Sequence, residues 1–344
     1  MTTHSTPALK IIGAAHIEKW LDANPHRVFE LVEQVYLDHA HGRALNPDSY
    51  FLRFADSDRN RIIALPAVLE DERPIAGIKW VSSFPDNVLQ GRDRASAMLV
   101  LNDRRTGYPL ACLEGSLIST ARTAASAAVG AQRLHPTPGR IERLAVVGCG
   151  VVAYRTVRML AALGWRIGEL AVHDLSDERA HLFLDKCAAI GLTGAVHEAG
   201  SALRGSGMIL FATSAVTPGD YAPAWFEHAP TVLHLSLRDL APEIVLAAQN
   251  VADDVSHCLK ANTSLDVAAR QAGHHDFIDG GIADAIEGRI TPDPRRTRIY
   301  SPFGMGVLDL SVARDILEAA GPGDALVVGD FFPRPYQAMA GTPA

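Results

Sequence analysis

The sequence predicts an α/β protein in which a doubly wound parallel sheet follows an α+β N-terminal region. Three observations predict it. From residue 141 onward, short apolar runs alternate with stretches of helical spacing. A glycine-rich turn, Gly148-Cys149-Gly150-Val151-Val152-Ala153, joins the run Leu144-Ala145-Val146-Val147 to such a stretch. Ahead of it, five strand-like runs follow one another with no helix between them, as in an antiparallel meander.

In order along the chain, residues 16–41 read as one helix, with Ile17, Trp20, Leu21, Val28, Leu31, Val32, Val35 and Tyr36 on its apolar stripe. Strands are expected at 50–54, 61–68, 75–82, 97–102 and 108–114. A helix rich in Ala, Ser and Thr spans 116–134 and is broken by Pro136-Thr137-Pro138-Gly139. The later strands are expected at 144–147, 169–173, 195–197, 207–212, 231–236 and 249–251. A helix at 309–320 reads as capped by Asp309, and the tail 321–344 holds Leu326-Val327-Val328 before a proline-rich end. The expected division is an α+β domain at 1–125, joined by 315–344, and a doubly wound, Rossmann-type domain at 126–314.

Composition bounds the function. The 344 residues are 48% hydrophobic and 21% charged, an ordinary soluble balance, and long enough for two domains. A net charge of −7 argues against a general nucleic-acid binder. Residues 1–10 lack the apolar core of a signal peptide, and no apolar run reaches membrane-spanning length, so a cytoplasmic protein without membrane partners is expected. Cys112, Cys149, Cys187 and Cys258 are scattered and read as reduced packing thiols. His39 and His41 cannot share a helix face, and His274-His275 lie in a polar loop, so no metal is expected.

Each part of the turn has a physical task. Gly148 permits the tight bend, Gly150 lets a pyrophosphate approach the backbone, and Ala153 lets the helix pack on the strand. Val151 and Val152 carry free N–H groups at the helix N-terminus. Asp174, which ends the next strand, suits the two hydroxyls of an adenosine ribose and repels a 2′-phosphate, so NAD is expected over NADP. Thr213 and Ser214 fall at the same sheet edge, and Thr123 and Ser236 complete the expected cofactor set.

Three charged residues stand out. Lys79 interrupts an apolar run, where an ammonium is costly unless paired; the bland alternative is a lysine on a wet strand face. Arg122 projects from Ser119-Thr120-Ala121-Arg122-Thr123-Ala124-Ala125-Ser126, where small neighbours let a carboxylate reach its planar fork; the alternative is a surface arginine. Asp239 follows a parallel strand at its carboxyl end, where open α/β sheets place ligands; the alternative is a helix cap.

With these residues in place, the chain resembles the ornithine cyclodeaminase/μ-crystallin family over nearly all its length, most specifically in Ala121-Arg122-Thr123-Ala124-Ala125 ahead of the glycine turn. The resemblance implies NAD(P)-dependent chemistry on an amino acid or its imine, in a homodimer joined through the N-terminal region. It implies that Arg53, Lys79 and Arg122 hold a carboxylate and that Asp239 stands at the reacting centre. Local stretches around 61–67, 77–85, 94–96 and 234–240 are similar to one branch, dehydrogenases of N-(2-amino-2-carboxyethyl)-L-glutamate that supply L-2,3-diaminopropionate for siderophores and peptide antibiotics. Arg94, Ser96 and Arg238 join the expected substrate set. So many cations repel the side-chain amine of ornithine and suit a substrate with three carboxylates. Proton transfer is expected of Asp239 and carboxylate binding of Lys79, with the exchange of these roles left open. Ornithine cyclodeamination, imine or ketimine reduction, and non-catalytic NAD(H) binding remain the competing readings.

Overall fold

The computed structural model describes residues 7–334. Residues 335–344 of the expected C-terminal segment, and part of the polar N-terminus, lie outside the described residues. The chain divides into two compact units. One comprises Met1–Asn24, Asp38–Ser119 and Met305–Ala344, and the other Pro25–Leu37 and Thr120–Gly304. These boundaries fall at 119/120 and 304/305, against the 125/126 and 314/315 expected, and assign the segment 25–37 to the second unit.

The first unit is built on one sheet. Its order is Leu326–Val328, Leu9–Ile12, Pro109–Glu114, Ala95–Asp103, Ile75–Ser83, Ser57–Leu69 and Ala44–Leu45, with Tyr50–Phe54 also paired to Ser57–Leu69. The expected meander is present and antiparallel, and Leu9–Ile12 adds to it in parallel. Strand alternation gives the sheet two distinct faces. One carries the cross-strand row Leu65, Lys79, Leu99 and Leu113 and is covered by the helix Gly306–Ala319. The other carries the row Tyr50, Ala64, Trp80 and Met98, and here Tyr50, Trp80 and Met98 are exposed. The apolar residues Ile62, Ile63, Leu65 and Val68 of Ser57–Leu69 therefore divide between the faces: Ile63 and Leu65 lie on the helix side, Ile62 and Val68 on the other.

The single helix expected over 16–41 is two helices, Ala14–Ala23 and Pro25–Ala40. Pro25 lacks an N–H and disfavours helical geometry in the residue before it. Asn24 accordingly leaves the helix at φ −129° and ties its side-chain amide to the Trp20 carbonyl at 2.8 Å.

The second unit holds an all-parallel sheet of eight strands. Its order is Gly194–Val196, Arg166–His173, Arg140–Val147, Met208–Phe211, Thr231–His234, Arg298–Ser301, Gln249–Ala252 and Ile278–Gly281. The chain order reverses between Arg140–Val147 and Met208–Phe211, the topological switch point at which doubly wound sheets open a crevice. Buried Ile209, Phe211, Val232 and Ile299 lie in the core cluster around the central strands. Ile278–Gly281 and Arg298–Ser301 were not expected. The first hides behind its glycines and acid, the second behind a buried arginine that interrupts its apolar reading.

Candidate active site

In the second unit the turn sits where the switch point requires. Gly148 has φ +88°, and a Cβ there would lie 2.7 Å from the carbonyl oxygen of Ala212, at the end of the neighbouring strand. Only glycine satisfies both constraints. Gly150 precedes the helix Val151–Ala162, and a Cβ on it would meet nothing within 4 Å, so the helix N-terminus is open on that side. Ala153 is buried, as its packing role requires. This bare backbone, ending on free N–H groups, fits a dinucleotide pyrophosphate.

Asp174 closes the turn. Its carboxylate accepts from the backbone N–H of Cys149 at 2.7 Å and from that of Ser176 at 3.0 Å. Burial, and then the Asp174 charge, push the Cys149 thiol up to about 12, so it is inert at neutral pH.

Asp239 is wholly buried. It accepts hydrogen bonds from the hydroxyls of Thr213 and Ser236, and the His234 ring nitrogen Nε2 stands 3.2 Å from its Oδ2. Burial alone would raise this carboxyl. The hydrogen bond and charge of His234, then the hydroxyls of Ser236 and Thr213, override it and hold the carboxyl below its ordinary value. Between Ser236 and Arg238, Leu237 adopts φ +68°, a strained left-handed conformation for a bulky residue. The Gly148 turn, Ala212-Thr213 and Asp239 thus form one contiguous line along the carboxyl edge of three adjacent strands. Ser214 is exposed beside it, and Arg238 donates to the Ala261 carbonyl at 2.9 Å.

Arg122 is buried on the helix Ser116–Leu134. Its guanidinium lies against Gly304, where an added Cβ would come within 3.0 Å of Nη1. The backbone N–H groups of Phe303 and Gly304 donate to the buried Asp253 carboxylate at 2.8 and 2.7 Å, which fixes this loop beneath the guanidinium. The small residues around Arg122 also serve packing: Ala124 and Ala125 are buried, and Gly130 leaves room for the Tyr300 ring. Thr123 is half-buried next to Arg122.

In the first unit Lys79 is 2% exposed, and its ammonium donates to Asp309 at 2.6 Å and to Ser119 at 3.1 Å. The wet-face alternative is therefore overturned. So is the cap expected of Asp309. The helix begins at Gly306, three residues earlier than expected, which carries Asp309 into its buried first turn as the counter-ion of Lys79. No local sequence pattern reveals this pairing, because the two residues are 230 positions apart. Arg53 is exposed, its guanidinium 5.5 Å from the centre of the Phe51 ring, and Arg94 is half-buried. Ser96 pairs across to Ser82 and so stands on the opposite face from Lys79, one residue out of phase with it.

Comparison with known proteins adds to this geometry. A profile of the ornithine cyclodeaminase/mu-crystallin family matches residues 14–323. The N-((2S)-2-amino-2-carboxyethyl)-L-glutamate dehydrogenase of Staphylococcus aureus is 28% identical over 310 residues, covering 83% of this chain and 90% of that protein. The alanine dehydrogenase of Archaeoglobus fulgidus is 27% identical over 299 residues, covering 84% of this chain and 88% of that protein. An archaeal alanine dehydrogenase dimer with bound NAD superposes with a TM-score of 0.81 at 24% identity, covering 90% of this chain and 95% of that one.

Proposed function

Because the chain belongs to the ornithine cyclodeaminase/mu-crystallin family, we propose that it is an NAD-dependent oxidoreductase that oxidatively hydrolyses N-(2-amino-2-carboxyethyl)-L-glutamate. The products are L-2,3-diaminopropionate and 2-oxoglutarate. The observation that carries the oxidoreductase reading is the contiguous line from Gly148 through Thr213 to Asp239 at the switch point. It sets an anion beside a backbone cradle that suits a dinucleotide. The choice of substrate rests on the guanidinium-rich first unit and on the similarity to the Staphylococcus aureus enzyme.

NAD+, when bound, supplies the acceptor for the hydride that leaves the glutamate Cα. Gly148, Gly150, Val151 and Val152 hold the pyrophosphate, and Asp174 orients the adenosine ribose from its fixed position on the turn. Thr123, Thr213, Ser214 and Ser236 complete that contact set. Asp239 stands beside the substrate nitrogen. Its three donors keep it ionised, which stabilises the positive charge that develops as the C–N bond gains double-bond character. A carboxylate so held is a weak base, so its share in proton transfer passes through the His234 ring behind it. Arg53, Lys79, Arg94 and Arg122 take the substrate carboxylates, with Ser96 and Arg238 the weakest members of that set on the geometry above. Water adds to the substrate imine, and collapse of the adduct releases the two products.

A second copy of the chain covers the outward face of the first unit's sheet, where Tyr50, Trp80 and Met98 are exposed. No described helix is long and apolar enough to cross a membrane.

The test is turnover by the full chain with the purified adduct and NAD+, following NADH and identifying both products by mass spectrometry. Stoichiometric NADH, 2-oxoglutarate and diaminopropionate are expected. Ammonia released from ornithine, or NADH consumed with a cyclic imine, in place of adduct oxidation would transfer the protein to another activity of the family.

A further inference from the structure

On the Lys79 face of the first unit's sheet lies a second cluster of cations, one that Lys79 and Asp309 do not explain. Arg53 pairs directly across the ladder with Arg61, and Arg61 pairs directly with Ser83. Directly opposed residues share a face, and like charges in that position destabilise a sheet unless something offsets them. Arg94 ends this ladder one residue out of phase with Ala95, the residue that pairs with Ser83; its carbonyl accepts from the Phe84 N–H at 2.8 Å, and its guanidinium comes within electrostatic range of that of Arg61. Among the described residues no carboxylate forms an ion pair with Arg53, Arg61 or Arg94, whereas nearby Arg59 has one in Asp86. Burial, and then the neighbouring guanidinium, lower the proton affinity of both Arg61 and Arg94, as expected of cations held together without an anion.

An independent observation comes from Ser83. It is 6% exposed, and its hydroxyl has no hydrogen-bond partner among the described residues. A buried hydroxyl left unpaired forfeits its hydrogen bonds to water with nothing in return, and this one lies on the ladder beside Arg61. Three guanidiniums with no ion-pair partner among the described residues, and a hydroxyl with no hydrogen-bond partner among them, make a set of donors open to an anion.

We infer that Arg53, Arg61, Ser83 and Arg94 form a second carboxylate subsite, which selects substrates carrying an anionic group remote from the reacting amino acid. Arg61 and Ser83 are its new members. Their row lies four residues along the strand from the Lys79 row, about 13 Å at ~3.3 Å per residue, too far for one carboxylate to serve both. The inference rests on the proposed function only in naming the occupant, the distal carboxylate of a polycarboxylate amino-acid adduct.

The test compares wild type with Arg61→Gln, Arg61→Lys and Ser83→Ala in the full chain. With the adduct as substrate, Arg61→Gln should raise KM by roughly 10- to 100-fold, the loss expected for one charge-assisted contact, while kcat changes little. Arg61→Lys should fall between, and Ser83→Ala should raise KM several-fold. Calorimetric binding of 2-oxoglutarate and of pyruvate supplies a readout that does not need turnover. Weaker 2-oxoglutarate binding in Arg61→Gln with unchanged pyruvate binding supports the subsite even if the adduct proves not to be a substrate, in which case only the proposed reaction falls. Adduct oxidation with the same KM in wild type and in a folded Arg61→Gln protein overturns the subsite and leaves the reaction standing. Should Arg61→Gln fail to fold, unchanged constants in Arg61→Lys and Ser83→Ala overturn it equally.

Discussion

Lys79 and Asp309 illustrate how a single buried charge is tolerated. Neither side chain is more than 2% exposed, and each would be costly alone. Removing one partner of such a pair leaves an uncompensated ion, whereas replacing both with apolar groups of similar volume is often neutral. Asp309→Asn should therefore lower unfolding stability by about 3–5 kcal/mol in chemical denaturation. The double change Lys79→Met with Asp309→Leu should recover most of that stability but not activity. A single variant as stable as wild type would show that the ammonium finds another anion. At this scale only part of the arrangement is legible in the sequence. An ammonium inside Ile78-Lys79-Trp80 signals a missing partner, but no local pattern names a residue 230 positions away. Arg61 was equally hidden, because a strand arginine reads as surface until its pairing with Arg53 is known.

At the scale of elements, the strand–turn–helix unit around Gly148 was legible because its constraints are local: a positive φ, a close neighbour strand and a small residue at the helix–strand contact. The structure adds that Asp174 bonds the turn itself through Cys149 and Ser176. Asp174→Ala should thus loosen the cradle as well as remove the ribose contact. NAD affinity should fall by roughly 10- to 100-fold, measured by quenching of protein fluorescence, with a smaller loss for NADP. Equal losses for both would assign Asp174 to the turn alone. Other elements were hidden for physical reasons. Arg298–Ser301 is buried on both sides and has no alternation to read, and its arginine is satisfied by backbone carbonyls that only the fold brings together. The break at Pro25 could have been read from the proline itself, but the apolar stripe continues across it and masks the interruption.

For the whole molecule, the proposed pairing of two copies rests on the outward row of Tyr50, Trp80 and Met98. These residues are 77%, 45% and 49% exposed on a sheet face whose other side is already covered by a helix. Trp80→Asp places a charge in the middle of that row and should convert a dimer to a monomer in light scattering at micromolar protein. An assembly unchanged by Trp80→Asp would put the contact elsewhere.

The first unit is not continuous in sequence, and this has a consequence for how the protein is made. Its sheet acquires Leu326–Val328, and its lysine acquires Asp309, only after the whole of Thr120–Gly304 has been synthesised. On the ribosome the second unit, whose segments Pro25–Leu37 and Thr120–Gly304 both precede Met305, is therefore the first that can complete its core. The first unit waits, with an unneutralised lysine and an open strand edge, for the last stretch of translation. Nascent chains halted before Met305 should thus engage chaperones through their N-terminal third, and a premature stop near the end of the gene would be as damaging to that region as one near its beginning.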